Sequence, residues 1–456
     1  MLTSRLSVPR GGDLKQRSSK AASNAEVRNA RRCATRSAAG TLGKMRVSRR
    51  VRGGSVRNPG HSETSTVLVA SSAGTVAVAL PAFLMGALAV QIRESLHFGP
   101  GALGLIVAFY YVGAAAASVP LGRLVESFGA LRTMRVACIV SAVVLEGLAW
   151  TTRNPAVLAA WLVLAGLASA GMQPAANLYM VRRLPRGRQG LAFGLKQSAV
   201  PLTATLAGLS VPAVALTLGW RAAFGLAGAF AFAVAVTLPR PRRTRAEQRA
   251  VAAAERTGGV DNTGRGALWV LAVGFGLGVA SAGALTAFLA SSVVAAGMGR
   301  AAAGLLVALG GVAAIAGRIA AGWMADRRSG GHLTAVAVML AVGSAAYLAL
   351  ALVSYQRLAA LIVPVVIVVF TVGWGWNGLF NFAIIDQYRE RPAWATGITQ
   401  TGGRLGGVFG PFVFGQIATH ASYGAAWASL AVASASAATI TAIVARRSRG
   451  ADSGHA

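Results

Sequence analysis

Gly122-Arg123-Leu124-Val125-Glu126-Ser127-Phe128-Gly129-Ala130-Leu131-Arg132 separates two apolar runs, and 200 residues further on Gly322-Trp323-Met324-Ala325-Asp326-Arg327-Arg328 separates two more. Each copy places a glycine, an acid four residues later and basic residues in a gap too short to be a domain. The flanking runs, 101–121 and 133–151 in one case and 301–321 and 332–353 in the other, each have about the 20 residues an α-helix needs to cross a hydrocarbon core. Lipid is the solvent that such a pattern implies.

Working outward, further runs near 66–92, 155–180, 190–217, 220–238, 267–292, 358–383, 394–418 and 424–445 bring the number to twelve. Only 12% of the 456 residues are charged and 55% are hydrophobic, against about 25% charged in a soluble domain. The formal net charge of +31 would suggest a nucleic-acid partner if the chain were soluble. Its distribution excludes that: of 44 Lys and Arg, 15 lie in the first 61 residues, 21 in alternate loops and the C-terminal tail, 5 in the other loops and 3 inside spans. Positive charge collects on the cytoplasmic side of membrane proteins, so the expected topology puts both termini in the cytoplasm of a cell (inner) membrane. Arg93, Arg153, Arg221, Arg300 and Arg357 then occupy the outer loops. Cys33 and Cys138 are too few and too far apart in type of setting for a disulfide framework.

The expected fold is all-α, twelve transmembrane helices in two pseudo-symmetric six-helix bundles: 66–238 and 267–446, joined by a basic linker at 239–266 and followed by a tail at 447–456. Residues 1–65 are Arg-, Ser- and Gly-rich and read as a disordered tail; a lipid-binding polybasic segment, a transit peptide and a reading frame that starts at Met45 are the competing explanations. The halves resemble each other. Ala102–Ala116 laid on Ala302–Ala316 matches Gly104/Gly304, Leu105/Leu305, Val107/Val307, Ala108/Ala308, Val112/Val312 and Ala114/Ala314. At an offset of 203, Gly194/Gly397, Gln197/Gln400 and Leu202/Leu405 coincide. Parallel repeats imply a pseudo-two-fold axis along the membrane normal.

The stretch Gly122–Arg132 resembles the loop between helices two and three of the major facilitator superfamily, and Gly322–Arg328 its repeat between helices eight and nine. Glu126 for the usual Asp, Ala130 and Leu131 where basic residues are common, and Ser329 for the second Gly depart from that pattern. The resemblance implies secondary transport by alternating access, with Gly122, Glu126, Gly129, Arg132, Gly322, Asp326 and Arg327 forming a cytoplasmic latch. A solvated loop that only sets topology is the alternative.

Ionisable residues inside a membrane are costly and therefore candidates for function. Arg404 lies about 16 Å into helix eleven at 1.5 Å per residue, near the midplane, beside Gln400-Thr401-Gly402-Gly403 and Gly406-Gly407. Lys196 lies nearer the inner end of helix five, next to Gln197, the repeat mate of Gln400, where a snorkelling ammonium is the competing reading. Arg318 stands one turn before Gly322, and Gly317–Arg327 is similar to helix eight of the monocarboxylate transporters and the oxalate/formate antiporters, which implies a carboxylate ligand for it. Gln173, Asn177 and Tyr179 in helix four, and Trp374, Trp376, Asn377 and Asn381 in helix ten, are candidates to line the path; contacts between packed helices are the commoner use of such residues. Gly402, Gly406 and Gly410 read as a close-packing face. Glu146 in helix three is either a proton-coupling carboxyl or the partner of a cation.

Three cations with one mid-helix acid point to a small organic anion, such as a carboxylate, held by guanidinium forks. A proton or a counter-anion is the expected coupled species, the bilayer the expected surroundings, the monomer the expected working unit, and neither a cofactor nor nucleic acid is expected. Multidrug or metabolite efflux is the alternative, but it calls for acids, and the only two on offer are Glu146 and Asp386. A nontransporting sensor would add a signalling domain. Enzyme chemistry finds no support: Gly373-Trp-Gly375-Trp-Asn-Gly378 fits a dinucleotide pattern but follows no strand, no Walker loop or HExxH occurs, and the five histidines are scattered.

Overall fold

Lipid offers the backbone no hydrogen bonds, so every N–H and C=O must be satisfied within the helix that carries it. In a computed structural model, which describes residues 61–184, 194–240, 265–327, 330–356, 359–388 and 392–453, the chain is helical almost throughout. Helix α1 runs His61–Ala87 and, after a break at Leu88, Ala89–Leu96. Then follow α2 (Pro100–Phe128), α3 (Ala130–Thr151), α4 (Pro155–Arg183), α5 (Gly194–Leu218) and α6 (Trp220–Thr237). The later six are α7 (Arg265–Ala295), α8 (Arg300–Asp326), α9 (His332–Gln356), α10 (Leu361–Gln387), α11 (Pro392–His420) and α12 (Tyr423–Ser453). Eleven of these are apolar enough to span by composition among the described residues. The twelfth, α11, has 29 residues, but Gln400, Arg404 and its glycines lower its hydropathy.

Helix ends follow from local chemistry. Pro100 and Pro155 open α2 and α4, where a missing N–H costs nothing, and the Asn154 side chain accepts from Val157 N at 3.0 Å. Gly129 turns α2 into α3 at φ +93°, a conformation that disfavours any side chain. In the second copy the positive φ falls on Gly330 and Gly331, one and two places after Ser329, so the missing glycine is replaced by its neighbours. Large side chains such as Val136, Ile139 and Val143 of α3 and Phe232 and Val236 of α6 face outward, as expected where the surroundings are acyl chains.

The packing repeats. In the first six helices α2 lies on α4, α3 on α6 and α4, and α1 on α5 and α6; in the last six α8 lies on α10, α9 on α12 and α10, and α7 on α11 and α12. The sets meet through α2 against α11 and α5 against α8, pairs that exchange under the repeat. This is what a two-fold axis between matched bundles requires.

The end of the molecule carrying Gly129 and Gly330 is called the basic end here, and the opposite one the far end. At the far end the two sets are joined by a Glu94–Arg300 ion pair at 2.8 Å, by Arg93 donating to the Tyr423 hydroxyl at 3.2 Å and by Gly101 N donating to Thr419 Oγ1 at 2.7 Å. Backbones approach so closely there that a Cβ on Gly104 would lie 2.3 Å from the Pro411 carbonyl oxygen, and one on Gly86 would lie 2.2 Å from that of Thr286.

Candidate functional site

Lys196 is 1% exposed, so it does not snorkel to water. Its Nζ donates to Gln173 Oε1 and, at 3.1 Å, to Asn177 Oδ1, both on α4 one turn apart. In the second set Gln400 of α11 reaches α10 in the same manner: Nε2 donates to Asn381 Oδ1 at 3.0 Å, and Asn381 Nδ2 donates to the backbone and side-chain oxygens of Asn377 at 3.0 and 3.1 Å. These contacts run at one offset, since 173, 177 and 196 each become 377, 381 and 400 on adding 204. The mate of Gln400 is therefore Lys196. The sequence register of 203, which paired Gln400 with Gln197, is shifted by one residue.

Gln197 contributes its backbone instead, because its carbonyl accepts from Arg318 Nη1 of α8. Gly317 makes this possible: a Cβ there would lie 2.5 Å from the Thr371 carbonyl, in the segment Val369–Trp374 where α10 widens to π-helical hydrogen bonding. The close approach sets the Arg318 guanidinium 5.2 Å from the Trp374 ring centre. Trp374 in turn touches Phe83 of α1, with ring centres 5.9 Å apart. Arg318 Nε is buried and finds no acceptor among the described residues. Trp376 does not line the path: it is buried, donates to the Gly373 carbonyl at 2.9 Å and packs on Phe275 and Phe380.

Arg404 is part-buried in mid-helix, with no hydrogen bond or ion pair among the described residues. Gln400, Arg404 and Gly407 share one stripe of α11 by their spacing. At one end of the stripe Gln400 meets α10; at the other a Cβ on Gly407 would lie 2.4 Å from the Tyr111 ring of α2. That places Arg404 on the surface that looks across to the first set. The opposite stripe, Gly402, Gly406 and Gly410, does pack closely, with Cβ positions 1.8, 1.9 and 2.4 Å from the carbonyls of Ala272, Gly276 and Ala280 on α7.

Counted from the basic ends of their helices at 1.5 Å per residue, Asn177 and Asn381 lie about 9 Å deep, Arg318 and Gln400 about 12 Å, Gln173 and Asn377 about 15 Å, and Arg404 about 18 Å. Polar groups of both sets thus occupy one layer. Residues 65–411 match the family profile of the Major Facilitator Superfamily, about three quarters of the chain.

The chain belongs to the major facilitator superfamily.

Among its relatives are an uncharacterised MFS-type transporter of Mycobacterium tuberculosis, 27% identical over 326 residues, and an MFS-type efflux pump of Mycolicibacterium smegmatis, 28% identical over 148 residues. These alignments span 67% and 32% of this chain, and 66% and 34% of the relatives' own lengths. Two solved structures share the fold. A D-xylose–proton symporter superposes with a TM-score of 0.67 at 14% identity, covering 82% of this chain and 96% of that one. A bacterial homologue of the human lysosomal transporter Spinster, inward-facing and unoccupied, gives 0.62 at 15% identity, covering 85% and 96%.

The superfamily loops are described only in part. The side chains of Gly122, Glu126 and Asp326 lie outside the described residues, as does Arg328. Arg132 is exposed, Arg327 stacks on Trp323 of its own helix at 3.6 Å, and a Cβ on Gly322 would meet nothing within 4 Å, so that glycine is not required for close packing. Arg135 donates to the carbonyls of Ala235, Leu238 and Pro239 and caps α6 where the linker begins.

Glu146 lies about 24 Å along α3 from Ala130, in the groove between α3 and α6. It accepts from Trp150 Nε1 at 2.9 Å, and its other oxygen rests where a Cβ on Gly228 would lie 2.4 Å away. Asp386, at the basic end of α10, faces His332 at 3.8 Å. Neither acid joins the layer that holds Lys196, Arg318 and Arg404.

Proposed function

We propose that this protein is a secondary transporter that carries a small organic anion, most fittingly a carboxylate, across the cell (inner) membrane by alternating access. The observation that supports this reading is the trio Lys196, Arg318 and Arg404, none of which forms an ion pair among the described residues. A cation at a helix centre costs about 2.5–3.5 kcal/mol to insert. Amide oxygens offset that for Lys196, and a carbonyl and an indole ring for Arg318; no hydrogen bond or ion pair among the described residues offsets it for the part-buried Arg404. A carboxylate supplies the missing charge and accepts two N–H bonds from one guanidinium.

In this reading Arg404 and Arg318 bind the anion from the second bundle (267–446) and Lys196 from the first (66–238), with Gln197, Asn177, Asn377 and Gln400 shaping the site. The bundles rock about it as a monomer with both termini cytoplasmic. Far-end contacts such as Glu94–Arg300 close one side, and the loops of Gly122, Glu126, Gly129 and Arg132 and of Gly322, Asp326 and Arg327 close the other.

Counterflow in proteoliposomes tests this with a panel of mono- and dicarboxylates set against amphipathic cations. Arg404→Ala is expected to cut carboxylate exchange about 30-fold or more, the cost of truncating one partner of a desolvated charge pair, with unchanged insertion. Normal exchange by that variant would remove Arg404 from the site. Efflux of amphipathic compounds is the second reading, favoured by the relative named an efflux pump; exchange of cations in place of carboxylates would select it.

A further inference from the structure

Glu146 and Arg221 are an acid and a base that lie near each other and do not pair. Oε2 of Glu146 accepts from Trp150 Nε1 at 2.9 Å and lies 3.9 Å from where a Cβ on Gly225 of α6 would be. Arg221 stands four residues before Gly225, hence on the same face of α6 and about 6 Å nearer the far end. Its guanidinium is engaged elsewhere: Nη2 donates to the Thr152 carbonyl at 2.8 Å, and the group lies 4.3 Å from the Trp220 ring centre. The ion pairs found among the described residues are Glu94–Arg300 and His332–Asp386, so neither Glu146 nor Arg221 has an oppositely charged partner there.

The groove that holds them opens on the acyl chains. Val143 and Trp150, one turn to either side of Glu146 on α3, are exposed, Trp150 by 75%, and so is Leu226 beside Gly225. Glu146 lies about 8 Å short of the far end of α3, in the zone next to the membrane–water boundary where tryptophans collect. Two polar groups here lack partners among the described residues. Oε1 of Glu146 has no donor, and the Thr152 hydroxyl is buried without a hydrogen bond, on the very residue whose carbonyl holds Arg221. Unsatisfied groups of this kind ask for a partner from outside the chain. Helix α6 also begins at Trp220, and the N–H groups of its first turn favour an anion beside Arg221. The deeper point therefore calls for a cationic donor and the shallower one for an anionic acceptor.

We propose that the α3/α6 groove is a binding site for a phospholipid of the ethanolamine class, with the ammonium on Glu146 and the phosphate on Arg221. The two groups of that headgroup are joined by a two-carbon link, a reach of about one helical turn, which is the offset between Gly225 and Arg221. A primary ammonium has three N–H donors for the carboxyl oxygens. A choline headgroup has none, and a glycerol headgroup carries no cation, so the site selects ethanolamine over both. It lies on the outer face of the first bundle, away from the layer of Lys196, Arg318 and Arg404, and does not depend on what the protein carries.

The test is native mass spectrometry of the full-length protein in mild detergent, offered equal amounts of dioleoyl phosphatidylethanolamine, phosphatidylcholine and phosphatidylglycerol. Wild type is expected to retain the ethanolamine lipid about fivefold over the other two, the size of one interfacial charge contact. Glu146→Gln is expected to bring it down to the choline level, and Arg221→Gln to weaken all three. Gly225→Leu, which keeps both groups and fills the groove, should lose the preference as Glu146→Gln does, and it takes the place of that variant if Glu146→Gln does not fold. Without lipid, wild type and Glu146→Gln should unfold at the same temperature; adding phosphatidylethanolamine should raise that of wild type alone. Equal retention of the ethanolamine lipid by wild type and by the groove variants overturns the proposal. So does displacement of the lipid by dodecylamine with equal ease from wild type and from Arg221→Gln, because the groove would then serve free amphipathic amines and the phosphate contact would be absent.

Discussion

The pockets at Lys196 and Gln400 have the same architecture and different chemistry. In both, a nitrogen from the first half of α5 or α11 donates to an asparagine about 9 Å from the basic end of the preceding helix. One turn deeper the first repeat has Gln173 and the second Asn377. The extra methylene lets Gln173 aim its oxygen at the Lys196 nitrogen, whereas the shorter Asn377 is occupied by Asn381. The second pocket is a closed chain of amides; the first converges two oxygens on one amine. A neutral amide is therefore sufficient to hold these helices together. The amine at 196 adds the capacity to take a charge, which packing does not require.

Removing the amine tests that comparison hardest. Lys196→Met keeps the length of the side chain and strands two part-buried acceptors, each at a cost of up to about 1–3 kcal/mol. Carboxylate counterflow is expected to fall about 100-fold, with a lower unfolding temperature in detergent, whereas Gln400→Met strands one acceptor and should lose about tenfold. Equal losses would make the two pockets equivalent. A smaller effect separates the asparagines. Asn177→Ala removes an acceptor from a cationic nitrogen, worth about 1.5–3 kcal/mol, and Asn381→Ala removes one from a neutral amide, worth about 1 kcal/mol. Initial rates should therefore drop about tenfold or more for the first and about fivefold for the second; the reverse order would place the functional charge in the second repeat.

Much of this was legible in the sequence, and what was not has physical causes. Spans and repeats could be read because lipid imposes long uncharged runs, and because loop arginines leave a topological trace that does not depend on tertiary contacts. The glycine stripe at 402, 406 and 410 was legible from spacing alone. The partners of Lys196 were not, since Gln173 and Asn177 lie on another helix beyond a basic loop, and the register of 203 read from Gly194/Gly397 and Gln197/Gln400 is one residue off the 204 at which the contacts repeat on both sides of that loop. Arg318 was read as a ligand, but its hold on the Gln197 carbonyl leaves no mark, because every residue carries that acceptor. Trp374 and Trp376 look alike in sequence, and both are buried, but Trp374 sits beside Arg318 whereas Trp376 packs on Phe275 and Phe380.

Glu146 offers the smallest expected effect and the sharpest control. It belongs to the same half as Lys196 but lies in the α3/α6 groove, where an indole N–H is its hydrogen-bond donor and Gly228 leaves room for its other oxygen. Glu146→Gln preserves an acceptor for Trp150 and the volume over Gly228, so stability should change by no more than about 0.5 kcal/mol, the usual size for a replacement that strands nothing. Counterflow rates measured from pH 6 to 8, in parallel with wild type, should keep both their size and their pH profile. A flattened profile would assign the coupled proton to this groove.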